Sequence, residues 1–403
     1  MRAALIYASR SATLYPLPLL KIGAMLKSQG HEVELFINRL PRGQFDEAWV
    51  STCFTYDIPA AIALIRRLKP LVARIRVGGI AATLLPEVFE HLGDLEIHRG
   101  LLPEAEDVVP DYSLLGHEPE YSIAYTTRGC VRHCSFCMVP QLEDRFTHEP
   151  HWHQRLHARA QRVLFYDNNW LAKPIDGWLE DVAHLRRLTR SGRITSFDFN
   201  QGIDCRLMTE ERAAALEGLP LNPIRFAFDG KQEDGHYQKA VRLMIAHGFT
   251  QGYFMTYVLW NFTDTPEDVY YRIKVSAELT AEFGFQIASF PMRYQPIFSI
   301  DPKRGYVGKH WTPLTRRNFS MMVHGLSTHG ELSFNPRGDR LPTAVAEMEY
   351  YFGRDEQEFV RMLNYPKLRE LFHRRRASMA YLRAQDRIRE DQEQEQEEEV
   401  VNT

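Results

Sequence analysis

Cys130, Cys134 and Cys137 stand at the spacing Cys-x3-Cys-x2-Cys inside the run Thr126-Thr127-Arg128-Gly129-Cys130-Val131-Arg132-His133-Cys134-Ser135-Phe136-Cys137. Thiolates are soft ligands that suit iron–sulfur clusters and zinc. Three within one short loop, with no fourth cysteine at a matching spacing, can hold three irons of a [4Fe–4S] cube and leave one iron open to a small molecule. The same residues also allow a structural zinc site, which normally closes with four nitrogen or sulfur ligands and would draw its fourth from His133 or His148. The chain has 5 cysteines, and gathering three in one motif argues against a secreted disulfide framework. Cys53 and Cys205 follow or end apolar runs, where a small buried hydrophobe is the ordinary role.

The elements that must position this loop are legible from periodicity. Short apolar runs at Ala3–Ala8, Glu32–Ile37, Glu47–Thr52 and Arg74–Val77 alternate with amphipathic segments at Leu19–Gln29, Ala60–Leu71 and Leu84–His91. That alternation predicts a parallel sheet with helices on its faces over residues 1–118. Gly78-Gly79 fits a tight strand-to-helix turn, and Pro110–Pro119 reads as a linker. Tyr121–Thr127 then leads straight into the cysteine loop. Further strands are expected at Arg162–Tyr166, Ser196–Phe199, Ile224–Phe228, Gly252–Leu259 and Phe285–Ser289, with helical segments between them. Residues 119–300 therefore form a run of βα units, whose chemistry belongs in the loops after the strands. Residues 301–387 read as a loop and helical extension with helices at Thr343–Phe352, Asp355–Leu363 and Leu368–Arg387, and 388–403 as a disordered acidic tail.

The cysteine motif, with an aromatic before its last cysteine, resembles the radical S-adenosylmethionine (SAM) superfamily. The resemblance implies that Cys130, Cys134 and Cys137 hold a [4Fe–4S] cluster and that Phe136 lines the adenine site. It also implies that the open iron chelates the amino and carboxyl groups of SAM, and that the reduced cluster cleaves SAM to a 5′-deoxyadenosyl radical. The fold it implies is a (β/α)6 partial barrel. Asp167-Asn168-Asn169, after the second barrel strand, stand where the family often binds the SAM amino group, and Arg206, before Thr209-Glu210-Glu211, stands where it pairs with the carboxylate or ribose region. Their residue-level alternatives are helix caps for the first set and a partner of Asp204 or Asp167 for the arginine. Asp229, Asn261 and Arg293 follow later strands and are candidate substrate contacts, Arg293 as an anchor for a carboxylate or phosphate.

Residues 1–118 look like the flavodoxin-like cobalamin-binding domain that precedes the barrel in a large radical SAM class. Members that bind cobalamin base-off usually carry an Asp-x-His-x-x-Gly loop after the first strand. Here that loop reads Ser9-Arg10-Ser11-Ala12-Thr13-Leu14-Tyr15-Pro16, without the histidine. The expectation is a degenerate domain with no cobalt–histidine bond, and cobalamin held without a protein ligand is the alternative. The methylthiotransferases share the motif through Met138-Val139-Pro140 but need three further N-terminal cysteines, where this chain has Cys53 alone.

The expected function is a radical SAM enzyme that abstracts hydrogen from an unidentified substrate, small molecule before peptide, with electrons from a donor such as flavodoxin or ferredoxin. A cobalamin-dependent methyltransferase and a non-catalytic Fe–S or zinc protein are the alternatives. A net charge of −3 gives no general pull toward nucleic acid. The N-terminal apolar run is too short for a signal peptide, and no stretch approaches about 18 uninterrupted apolar residues. An oxygen-sensitive cytoplasmic enzyme is expected.

Overall fold

The computed structural model describes residues 1–11, 13–250, 254–327, 331–334 and 343–378. They fall into two compact units: one comprises Met1–Asn222 with Gln295–Tyr306, the other the described residues among Pro223–Tyr294 and Val307–Thr403.

The first unit opens with β1 (Arg2–Tyr7), α1 (Leu17–Ser28), β2 (Glu32–Ile37), β3 (Phe45–Ser51), α2 (Ile58–Leu68), β4 (Val72–Gly78), α3 (Ile80–Leu84), α4 (Glu87–Glu90) and β5 (Glu96–Ile97). The strands are parallel in the order β2-β1-β3-β4-β5, the flavodoxin-like order whose switch point lies between β1 and β3. β1 reads as an unbroken apolar run because both of its faces are covered. Ala4 and Ile6 pack with Ile58 and Ile65 of α2, whereas Ala3 and Leu5 pack with Leu19 and Leu26 of α1. The helix expected over Leu84–His91 is instead two short ones. Pro86 disfavours helical backbone at Leu85, whose φ of −135° breaks the run.

The linker is ordered by polar contacts. After α5 (Pro103–Glu106), Lys27 Nζ lies 2.6 Å from an Asp111 carboxylate oxygen, and the Tyr112 hydroxyl accepts from Ile123 N at 2.8 Å. The first barrel strand, β6 (Ser122–Ala124), begins there. A two-strand ribbon of β7 (Thr127–Arg128) and β8 (Thr147–His148) encloses α6 (Val139–Leu142). β9 (Arg162–Phe165), α7 (Ile175–Arg190), β10 (Ser196–Phe199) and α8 (Glu210–Leu216) follow, and the three longer strands form a parallel sheet ordered β10-β9-β6. Residues 295–306 return to the N-terminal sheet. Thr55 Oγ1 donates to Ser299 O at 2.8 Å, and the Arg304 guanidinium stacks 4.7 Å over Tyr56.

In the second unit, β11 (Ile224–Ala227), α9 (His236–Ala246), β12 (Phe254–Trp260), α10 (Pro266–Phe283) and β13 (Ile287–Arg293) give another parallel three-stranded sheet, ordered β11-β12-β13. β13 runs past its expected end at Ser289 to Arg293. Pro291 is tolerated because β13 is an outer strand of this sheet. One face of β12 and α10 packs with α11 (Pro313–Leu326), α12 (Ala344–Phe352) and α13 (Glu356–Leu363) around Trp260, Phe319, Phe352 and Phe359. The expected strand start at Gly252, the end of the helix over Leu368–Arg387 and the acidic tail 388–403 lie outside the described residues. No helix among the described residues is long and apolar enough to cross a membrane.

Candidate functional site

The cysteine loop hangs between β7 and β8, and its entry is fixed by a tight turn. Gly129 has φ +72°, and a Cβ there would lie 2.1 Å from Arg145 O, so the returning chain leaves room for glycine alone. Glu143, just after α6, closes the loop. One carboxylate oxygen pairs with Arg128 Nη2 at 2.8 Å, while the other accepts from Gly129 N and, at 3.4 Å, from Asn168 Nδ2. Arg128 also stacks 4.1 Å over the Tyr125 ring.

Cys130, Cys134 and Cys137 are partly exposed and none is in a disulfide, with Cys137 N donating to Cys134 O at 3.0 Å in the turn between them. Cys130 Sγ accepts from Arg132 N at 3.4 Å and from Asn169 Nδ2 at 3.7 Å. N–H donors of this kind suit a charged thiolate. Among the described residues no three His, Cys, Asp or Glu side chains converge on a single metal ion; a cubic cluster takes each cysteine on a separate iron and needs no such convergence. Phe136 lies within the same loop and is partly buried.

The residues after β9 divide their work. Asp167 is 2% exposed, and its carboxylate accepts from the backbone N–H and the hydroxyl of both Thr126 and Thr127, at 2.5–3.1 Å. Burial pushes its pKa up to about 6, against the pull of the Thr126 and Thr127 bonds. The side chain that the resemblance assigns to the SAM ammonium is thus built into the strand that feeds the cysteine loop. Asn169 is 3% exposed and has a different outlook: Nδ2 is committed to Cys130 Sγ and to Asp204 Oδ2 at 3.2 Å, but Oδ1 is buried with no hydrogen-bond partner.

After β10, Arg206 forks onto Asp204, with Nε 2.7 Å from Oδ1 and Nη2 3.2 Å from Oδ2. Arg132, from the cysteine loop, donates its Nε to the same carboxylate. Burial alone would raise the Asp204 pKa, but the Arg206 and Arg132 bonds outweigh it and hold the group below the usual carboxylate range. Cys205 is buried beside this pair, as a small hydrophobe would be.

Within the second unit, Asp229 Oδ1 accepts from Leu259 N at 3.1 Å. Asn261 is fully buried with φ +68°; its amide donates to Tyr294 O at 3.4 Å and accepts from Gly308 N at 2.8 Å. It holds two backbone segments together. Arg293 ends β13 opposite Trp260.

The C-terminal edge of the N-terminal sheet is the other candidate surface. Gly79 has φ +93°, and a Cβ there would lie 2.7 Å from Thr52 O and 2.8 Å from Ser51 Oγ. Thr52 is fully buried, and its hydroxyl has no partner. Across the switch point, Ser11 donates both N–H and hydroxyl to Asp57 at 3.2 and 3.1 Å, and Ser9 Oγ accepts from Cys53 N. Burial pushes the Cys53 thiol up to about 11 and holds the neighbouring Tyr7 hydroxyl protonated. Burial likewise raises Tyr166, at the end of β9, where Tyr7 and Cys53 add smaller upward pushes. This edge and the cysteine loop belong to one unit, and α3 packs against α6.

Sequence reasoning missed Glu143, Arg132 and Tyr166 and treated Asp204 only as a partner of Arg206. Asp204 carried a local signal, a carboxylate two residues before a site arginine; Glu143 carried none, because its partners come from Arg128, Gly129 and Asn168.

No family model and no curated protein matches the chain. In fold it is similar to two solved structures of the radical S-adenosylmethionine methyltransferase TsrM from Kitasatospora setae. The one with cobalamin and a [4Fe–4S] cluster bound gives a TM-score of 0.54 at 12% identity, covering 75% of this chain and 77% of that chain. The one with tryptophan substrate and the SAM analogue aza-SAM bound gives 0.51 at 12% identity, covering 75% of each. The fold is therefore similar to that of these two structures over three quarters of the chain.

Proposed function

We propose that this chain is a radical SAM enzyme that carries a corrinoid on its N-terminal sheet and transfers a methyl group to a small molecule. The observation that carries the first part is the buried, unpartnered carbonyl of Asn169, whose Nδ2 lies 3.7 Å from Sγ of Cys130 in the three-cysteine loop. A buried acceptor without a donor is costly, and a ligand ammonium at an open iron would satisfy it. The donor set fits a cluster: three thiolates, with N–H groups already directed at one sulfur. Cys130, Cys134 and Cys137 would hold it, with Phe136 and Arg206 beside the bound SAM.

The corrinoid reading is supported by the likeness in fold to a cobalamin-bound methyltransferase over 75% of this chain. It is also supported by the orphaned Thr52 hydroxyl and the space that Gly79 keeps at the sheet edge. When bound, the cluster supplies an electron to SAM and the corrinoid a methyl carrier. The chain's own part is to hold the two sites in one unit, keep the edge groups Tyr7 and Cys53 protonated, and shield the junction with Tyr166 and Tyr125. Hydrogen abstraction without a corrinoid is the second reading. The Ser11–Asp57 and Ser9–Cys53 bonds that zip the switch-point loops favour it, as does the missing loop histidine.

Anaerobic reconstitution with iron, sulfide and hydroxocobalamin, followed by desalting, separates them. Near-stoichiometric corrin absorbance retained by the protein is the expected result. A protein that keeps its cluster but loses all corrin would select hydrogen abstraction.

A further inference from the structure

The cysteine loop, the end of β9 and the loop after β10 converge on the Asp204 carboxylate, through Arg132, Asn169 and Arg206 respectively. We infer that Asp204 is a positioning residue that holds Nδ2 of Asn169 toward Cys130 and so decides that the carbonyl end of the amide is left for a ligand. The inference rests on the radical SAM reading above.

The physical basis is the pair of acceptors that Nδ2 of Asn169 meets, Asp204 Oδ2 at 3.2 Å and Cys130 Sγ at 3.7 Å. Turning the amide over would set its carbonyl oxygen against the Asp204 carboxylate and give up both contacts of Nδ2, replacing a favourable contact with a repulsive one. The amide is therefore locked with nitrogen inward. Its oxygen is left as a bare acceptor in a site 3% exposed. A bare, buried carbonyl selects a ligand that brings N–H donors, and a primary ammonium brings them with charge. A ligand offering a hydroxyl there gains less, and one offering an acceptor is rejected.

Arg206 strengthens the lock. Its fork spans both oxygens of Asp204 and, with Arg132, keeps the carboxylate ionised and still. Asp204 need not touch the ligand for this to operate; it acts through Asn169.

The test uses the full-length, anaerobically reconstituted protein, its Asp204→Ala, Asp204→Asn and Asn169→Ala variants, and the Asp204→Ala/Asn169→Ala double variant, each checked for iron content. Equilibrium dialysis measures binding of SAM and of an analogue whose α-amino group is replaced by hydroxyl. Asp204→Ala is expected to weaken SAM by at least about ten-fold while leaving the hydroxy analogue within about three-fold. Asp204→Asn, which keeps one acceptor, should fall between, and it carries the comparison if the alanine variant does not retain iron. The double variant should bind SAM no more weakly than Asn169→Ala alone, because Asp204 acts through Asn169. Equal loss for both ligands, additive loss in the double variant, or unchanged SAM affinity on replacing Asp204 would overturn the inference alone. A wild-type protein that holds its cluster and binds no SAM would overturn the functional reading with it.

Discussion

Asp167 and Asn169 sit two residues apart and show how little a residue's type says about its duty. Both belong to a strand-end run whose polar character is plain in the sequence, yet the carboxylate turns into the protein and the amide carbonyl is left bare. The difference is set by strand pairing: β9 lies beside β6, which brings Thr126 and Thr127 within reach of Asp167. No local pattern encodes that meeting. Asp167→Ala would leave two backbone N–H groups and two hydroxyls without their acceptor in a buried place, so we expect a stability loss of at least about 2 kcal/mol and poor iron retention after reconstitution. Chemical denaturation and iron assay measure both. SAM affinity lost with full stability and full iron content would instead make Asp167 a direct SAM contact.

The elements were largely legible because their signals are local. β2 and β10 occupy the expected residues, and Thr265, Thr343 and Asp355 each cap a helix with a side-chain oxygen, as their positions before helical runs suggest. What escaped were features decided by a neighbour. β5 is two residues long and gains its identity only from pairing with β4, and β13 extends through a proline because it is an outer strand. The Gly78-Gly79 turn was readable as a turn, but not the reason that Gly79 has to be glycine. Gly79→Ala would force a side chain onto φ +93° and into Thr52 O. We expect a loss of about 1–3 kcal/mol in denaturant melts and weaker corrin retention, with iron content unchanged. A variant as stable as wild type would show that the sheet edge relaxes freely.

At the scale of the whole molecule, the N-terminal sheet and the cysteine loop share a compact unit. Arg155 reaches Asp107 at 3.0 Å and Glu149 at 2.6 Å, and Lys21 reaches Glu106 at 3.1 Å, so the end of α5 is clamped both to α1 and to the segment that follows β8. Sequence reading placed a boundary at Pro110–Pro119 because Pro and Gly there interrupt both periodicities, whereas long-range ion pairs leave no periodic trace. The account depends most on the claim that these three cysteines hold a cluster with one open iron. Electron paramagnetic resonance of dithionite-reduced, anaerobically reconstituted protein, with and without SAM and alongside iron analysis, tests it most directly. The expected result is about four irons per chain and a [4Fe–4S]+ signal whose g-values shift on adding SAM, both lost when Cys130, Cys134 and Cys137 are replaced by alanine. Zinc in place of iron, or a cluster signal indifferent to SAM, would contradict it.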